Sequence, residues 1–276
     1  MTKKRITVLD IPIDTINKKE VKSKIRKSLE KRKSKLVIAT VNSSFILKTL
    51  LIKEFKEVLK YKTDLNTPDG VGIQIAAEYI KKYNSTPNIF IFTLRWLKIA
   101  LSYVLGKNEL KVIPQRITGV YITKYLLKIA NKKRYKVIVI HKKNGLQSKK
   151  ELIKNFKKNF KYIKLFIINV DDKQDRKKYV INKKHKAKIV LADMGEVKQE
   201  LFLNNNKQIE ANLYIGIGSS LDIIFNKIKP APKVFRKRGL EWLFRIMTRP
   251  KRIKKAFNSV IIFPYKLYKE SLKYTK

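Results

Sequence analysis

Short apolar runs at residues 6–9, 36–41, 136–140, 165–170, 189–192 and 213–217 alternate along the chain with longer stretches whose apolar residues recur every three or four positions. The short runs read as strands; the longer ones, at 18–33, 43–60, 118–131, 146–160 and 174–186, read as helices. Such alternation predicts an α/β fold, a mainly parallel sheet with helices on both faces and ligands taken at the carboxyl ends of the strands. Thr67, Pro68, Asp69 and Gly70 read as a turn. No repeat and no Gly/Ser-rich linker divides the chain. Pro230 and Pro232 mark the boundary between a main domain, 1–233, and a basic helical appendage, 234–276.

Two stretches stand outside the alternation. Residues from about 79 to 113 contain N-I-F-I-F-T-L-R-W-L-K-I-A-L-S-Y-V-L-G, on which Arg95, Lys98 and Ser102 form one polar stripe of an otherwise apolar helix. Its uncharged portions fall short of the roughly 20 residues a bilayer span needs, which leaves a helix lying at an interface or packed in a bundle. In the appendage, residues 238–255 crowd arginine and lysine beside Leu240, Trp242, Leu243, Phe244, Ile246 and Met247, a composition suited to an anionic membrane surface. Aromatic and cationic residues continue to position 276, the kind that sit at headgroup level.

Charge narrows the partners. The 276 residues include 66 basic and 21 acidic ones, a net charge of +45 that favours phosphate-rich partners, whether nucleic acid, anionic lipid or nucleotide. A hydrophobic content of 44% is ample for a packed core and excludes a disordered polycation. Zero cysteines exclude disulfides and thiolate metal sites. With His141 and His185 the only histidines, a transition-metal site has little to work with, and Asp171, Asp172 and Asp175 read more readily as a solvated loop than as a cation site. The first residues lack the apolar core of a signal peptide, so the expected location is cytoplasmic, peripheral on the inner face of the membrane.

Candidate chemistry gathers where strand-like runs meet helices. Asn42 and Ser43 follow the run at 36–41 and serve equally as an N-cap or as part of an anion site. Asp69 gains interest from Arg116, which precedes Ile117, Thr118 and Gly119 at the mouth of another helix. Gly195 with Lys198, and Gly216 with Gly218 and Asp222, are two glycine turns that each open a helix and suit a nucleotide diphosphate. Neither is a P-loop or a full dinucleotide fingerprint, and no Ser, His, Asp arrangement stands out.

In order, Asn42, the P-D-G at 68–70, the R-I-T-G at 116–119, the K-Q-E at 198–200, the G-I-G-S-S-L-D at 216–222 and the A-P…R-G-L-E-W-L-F-R…R-P-K-R at 231–252 make the chain resemble the WecG/TagA/CpsF glycosyltransferases over nearly its whole length. The resemblance implies a Rossmann-like, inverting, metal-independent enzyme without a cofactor. It would move N-acetylmannosamine or a related hexose from a UDP donor to a polyprenyl-diphosphate-linked sugar in cell-surface polysaccharide or teichoic acid synthesis. It also implies Asp69 as general base with Thr40 and Asn42 in the same pocket. Arg116 and Gln199 would hold the donor, joined on its side by Gly195, Lys198, Gly218 and Asp222. Arg245, Arg252 and Lys255 would bind the acceptor diphosphate.

The chain departs from the pattern at Val120 and Tyr121, where an acidic residue is expected, at His141 and Lys142 in place of a glycine pair, and at Glu196 and Val197 in place of A-P. The stretch between Gly70 and Arg116 is longer than usual and suggests extra membrane contact. A homo-oligomer is expected if the appendage cannot reach its own pocket. Nucleic acid is not an expected partner, although a basic nucleic-acid-binding protein is the rival that charge alone favours; an inactive membrane-bound relative is the other.

Overall fold

The computed structural model describes residues 4–83, 88–107, 110–171 and 184–272. It opens with an antiparallel hairpin, β1 (Arg5–Val8) and β2 (Ile11–Asp14), turned by Leu9 and Asp10, both at positive φ. Next come α1 (Lys18–Glu30), β3 (Leu36–Val41), α2 (Ser43–Thr49), α3 (Lys53–Glu57), β4 (Leu65–Pro68) and α4 (Val71–Lys82). The middle of the chain forms α5 (Ile89–Val104), α6 (Gly119–Lys132), β5 (Lys136–Lys142), α7 (Lys149–Asn159) and β6 (Lys164–Val170). It continues with β7 (His185–Lys186), β8 (Ile189–Asp193), α8 (Lys198–Asn205), β9 (Ile209–Glu210), β10 (Leu213–Gly216) and α9 (Ser220–Ile224). The appendage is helical: α10 (Lys233–Lys237), α11 (Glu241–Thr248), α12 (Ile253–Phe257) and α13 (Phe263–Ser271).

Six strands form one parallel sheet in the order β4-β3-β10-β8-β5-β6, so the α/β architecture expected from the pattern is the one observed. From β3 the chain moves outward to β4, from β5 outward to β6, and the late strands β8 and β10 fill the gap between. Both faces are covered, which is why the strands read as unbroken apolar runs. Val137 and Val139 of β5 pack into the core under α1, α6 and α7, while Ile138 and Ile140 point into a second core on the opposite face. The helix starts follow local chemistry: Asn17 with Glu20 and Ser148 with Glu151 form capping boxes, and Thr118 caps α6.

Several boundaries differ from those the sequence predicts. The helix expected over 43–60 breaks after Thr49, where Leu51 is 85% exposed, and resumes as α3 and a π-helical turn at Val58–Lys62. Phe45, Ile46, Phe55 and Leu59 bury into one core from both pieces, so the apolar period runs on through the break. Thr67 and Pro68 are not turn residues but the end of β4, an edge strand, where a missing N–H is tolerated. The run at 6–9 joins the hairpin rather than the main sheet. His185 and Lys186 form a short strand paired with β9 instead of ending a helix; the rest of the predicted helix at 174–186 lies, with Asp172 and Asp175, almost wholly outside the described residues.

In the stretch between Gly70 and Arg116, α5 packs against α4 and the appendage through Tyr79, Phe92, Trp96 and Phe263. Ser102 of the expected polar stripe is buried, while Arg95 lies 4.4 Å over the Tyr83 ring and Lys98 is exposed. Among the described residues no helix is long and apolar enough to cross a membrane.

Candidate active site

The carboxyl ends of β3 and β4 form the floor of a cavity of about 310 Å³ whose other walls are α5 and the appendage. Asp69 is the first residue after β4, and its N–H donates to the Val41 carbonyl of β3 (2.8 Å), which fixes where its carboxylate starts. Gly70 lets the two loops touch: a Cβ there would lie 3.3 Å from the Asn42 side chain. Asn42 caps α2 with its side-chain oxygen, accepting from Ser44 N–H (2.9 Å) and Phe45 N–H (3.2 Å), and it lines the cavity as well. The capping and pocket readings of Asn42 therefore both apply.

The rest of the lining is mainly apolar, with cationic side chains set into it. Trp96, Tyr103 and Val104 of α5 face Trp242 of α11, while Arg116, Arg245, Arg252 and Lys255 bring positive charge. The appendage thus folds over the pocket of its own chain. Arg116 ties it down: its guanidinium forms an ion pair with Glu241 (3.2 Å) and donates to the Arg236 carbonyl. Arg238 donates to the Val104 carbonyl on α5, and Phe263 is fully buried against Trp96.

Asp69 is only partly accessible, and the protein packed round it has a chemical effect. Burial raises its carboxyl to about 6 and Glu241 pushes the same way, against the pull of Arg245, Arg116 and Lys255. A carboxylate that titrates near 6 holds its proton loosely enough to act as a base at neutral pH and strongly enough to accept one. Burial together with Arg245 and Arg249 lowers the Arg252 pKa, the mark of cations crowded without full neutralisation.

Thr40 lies just below this floor. It is buried and in close approach to Gly119 at the start of α6, where an added Cβ would come within 3.4 Å of its hydroxyl, and it does not line the cavity. The donor-side candidates gather farther along the same edge of the sheet, after β8 and β10. Gln199 joins the two glycine turns by accepting from Gly218 N–H (2.9 Å) and donating to Glu200 (2.6 Å). At Gly216 an added Cβ would come well inside van der Waals contact of the Gln199 carboxamide and the Glu200 carboxylate, so both would have to shift. Burial raises Glu200 to about 7. Gly195 and Gly218 take positive φ, and Lys198 begins α8.

Asp222 is turned inward. It accepts from Gln147 (3.0 Å) in a buried network where His141 meets Asp193 (3.0 Å) and the Gln147 carbonyl (2.8 Å). Burial opposes a charge on His141, yet Asp193 and the Gln147 carbonyl outweigh it and raise the imidazole pKa. None of Gly195, Lys198, Gln199, Gly218 and Asp222 lines the cavity that holds Asp69. Among the described residues no three His, Cys, Asp or Glu side chains gather where they could hold a metal ion.

The structure adds residues that sequence reasoning left without a role. Trp96 and Tyr103 were visible only as members of an apolar helix, and Glu241 only as a letter of the E-W-L-F-R run. Their signal is spatial: they line one cavity with Asp69 although they lie about 30 to 170 residues from it in sequence. The family model described as the glycosyl transferase WecG/TagA/CpsF family matches residues 6–96 and 99–276.

Proposed function

The chain belongs to the WecG/TagA/CpsF glycosyltransferase family, and from that premise we propose that it transfers a hexose, N-acetylmannosamine or a close relative, from a UDP donor to a sugar carried on a polyprenyl diphosphate. The observation that carries this reading is Asp69, with its carboxyl near 6, in a cavity that is cationic on the appendage side and apolar along α5. A lipid-linked diphosphate needs both kinds of wall.

In the step itself, the acceptor hydroxyl attacks the anomeric carbon and its proton passes to Asp69. A new C–O bond forms opposite the leaving group, the bond to the donor diphosphate breaks, and UDP departs with the electron pair. Attack from that side inverts the anomeric centre. Arg116 reaches the charge that develops on the leaving diphosphate, the task a metal ion performs elsewhere. Gln199 steadies the glycine turns on which the nucleotide rests by accepting from the Gly218 N–H, with Gly195 and Lys198 beside them at the start of α8. Asp222 and Thr40 act from behind those surfaces. Arg245, Arg252 and Lys255 grip the acceptor diphosphate, because guanidinium groups match phosphate oxygens two at a time.

The same reading seats the protein on the anionic inner face of the membrane, in surface-polymer assembly. On α5, Phe90 (69% exposed), Leu94, Leu97, Leu101 and Leu105 form one bare apolar stripe. Leu97 and Leu101 follow the pocket-lining Trp96 and Ala100 by one residue, about 100° round the helix, so the stripe borders the cavity. Met247 (67%), Ile253 (62%), Phe257 and Ile261 do the same on the appendage, interleaved with Lys251 and Lys254. Apolar ridges edged with lysine suit an anionic bilayer.

Two measurements test this. With a panel of UDP-sugars and a short-chain polyprenyl-diphosphate-linked acceptor, mass spectrometry should find the acceptor heavier by one sugar and an equal release of UDP; no transfer from any donor would overturn the reading. Separately, Leu94, Leu97 and Leu101 changed together to Ser should abolish flotation with vesicles containing anionic lipid, since three buried leucines at about 1.5 kcal/mol or more each lower the partition coefficient by about a thousandfold. Unchanged flotation would remove α5 from the membrane surface.

A further inference from the structure

Glu196 sits in the loop between β8 and α8 and does not line the cavity, yet a single oxygen of its carboxylate receives three groups from two other segments. Ser44 Oγ donates at 2.9 Å and Lys48 Nζ at 2.8 Å, both from α2, and Lys255 Nζ donates at 2.8 Å from α12. Two ammonium groups each that close to one oxygen lie within about 6 Å of each other and repel strongly unless a negative charge stands between them. We infer that Glu196 is a positioning residue: it neutralises Lys48 so that Lys255 can stay against the cavity, and it thereby holds the appendage where its cations meet a diphosphate. This rests on the proposed function only for the identity of that diphosphate; the latch itself rests on the contacts.

The loop is built to hold this carboxylate still. Val197, the next residue, has φ +76, a strained value for a β-branched side chain, and its N–H donates to Glu200 (2.8 Å). The carboxylate is mostly enclosed, with 15% of its side chain accessible. Burial works against its charge, but Lys255 and Lys48 outweigh that and keep its carboxyl below the usual range. A second carboxylate, Glu241, performs the mirror-image task by pairing with Arg116. Two cations of the cavity are therefore held by carboxylates, Arg116 by Glu241 within the lining and Lys255 by Glu196 from outside it.

The test uses the full chain. Glu196→Gln keeps the size and one acceptor oxygen for the three donors, removes the charge and turns the other oxygen into an NH2 donor. It should raise the KM for the polyprenyl-diphosphate-linked acceptor about tenfold, leave the KM for the UDP-sugar unchanged, and speed amide hydrogen exchange at 253–262. Adding Lys48→Met, which removes the competing ammonium, should return both the acceptor KM and the exchange rates to within about threefold of the parent. If Glu196→Gln leaves exchange unaltered, or if both variants lose stability with no rescue by Lys48→Met, Glu196 is an ordinary surface ion pair and the inference fails. Should the parent chain transfer no sugar at all, the functional reading falls while the exchange measurements still decide the latch.

Discussion

Asp69→Asn should lower the turnover of sugar transfer by about a thousandfold, the range expected when a positioned general base is removed. Substrate affinities should change little, because Asn has the same shape. The parent enzyme should show an acidic limb in kcat/KM with a midpoint at about 6, the value to which burial raises the Asp69 carboxyl. The sign is fixed by its role: the base must be ionised, so activity falls as pH drops through that value. Stability should move the other way. A carboxyl whose folded pKa lies above its unfolded value destabilises the folded state at every pH where both forms are ionised. Asp69→Asn should therefore stabilise the protein by about 1–2 kcal/mol at pH 8, after allowing for solvent in the cavity, and give no gain at pH 3. A variant that is less active and less stable at pH 8 would mean that Asp69 is a structural residue.

Arg245→Ala should cost about 10- to 100-fold in kcat/KM for the acceptor, given about 1.5–3 kcal/mol for hydrogen bonds to a charged group. It carries a second signature. Of the charges acting on Asp69, Arg245 lowers its pKa most, so removing it must shift the acidic limb upward. A residue that only held the acceptor would weaken binding and leave the limb in place. Arg245→Lys should restore most of the limb's position but little of the affinity, because a lysine supplies the charge without the two-pronged geometry. A limb that stays put, or moves to lower pH, would show that the two groups do not share one field.

Much of the sheet was legible because five of its six strands carry nearly unbroken apolar runs, and burial on both faces is what such runs record. The exception is β4: Leu65, Asn66, Thr67 and Pro68 offer neither a run nor an alternation, and their burial comes from neighbours rather than composition. The break at Leu50 and Leu51 was hidden because α2 and α3 bury the same face. At the site, Asp69, Arg116 and the appendage arginines were found through their motifs, and the cavity does bring them together. Asn42 could not be resolved from sequence, since one amide caps a helix and lines a pocket at once. Asp222 and Gln199 looked like ligand groups; their side chains are spent on Gln147, Gly218 and Glu200, pairings that depend on how two loops cross.

Because the outer wall of the cavity is made by appendage residues between Arg238 and Val260, a ribosome that has finished every strand of the sheet has not yet made an enzyme. Until Phe263 emerges and seats against Trp96, the nascent chain carries an aromatic socket with nothing in it and an aspartate open to water. On the proposed mechanism, Asp69 would therefore gain its enclosed setting only once the segment that carries Arg245, Arg252 and Lys255 has been released.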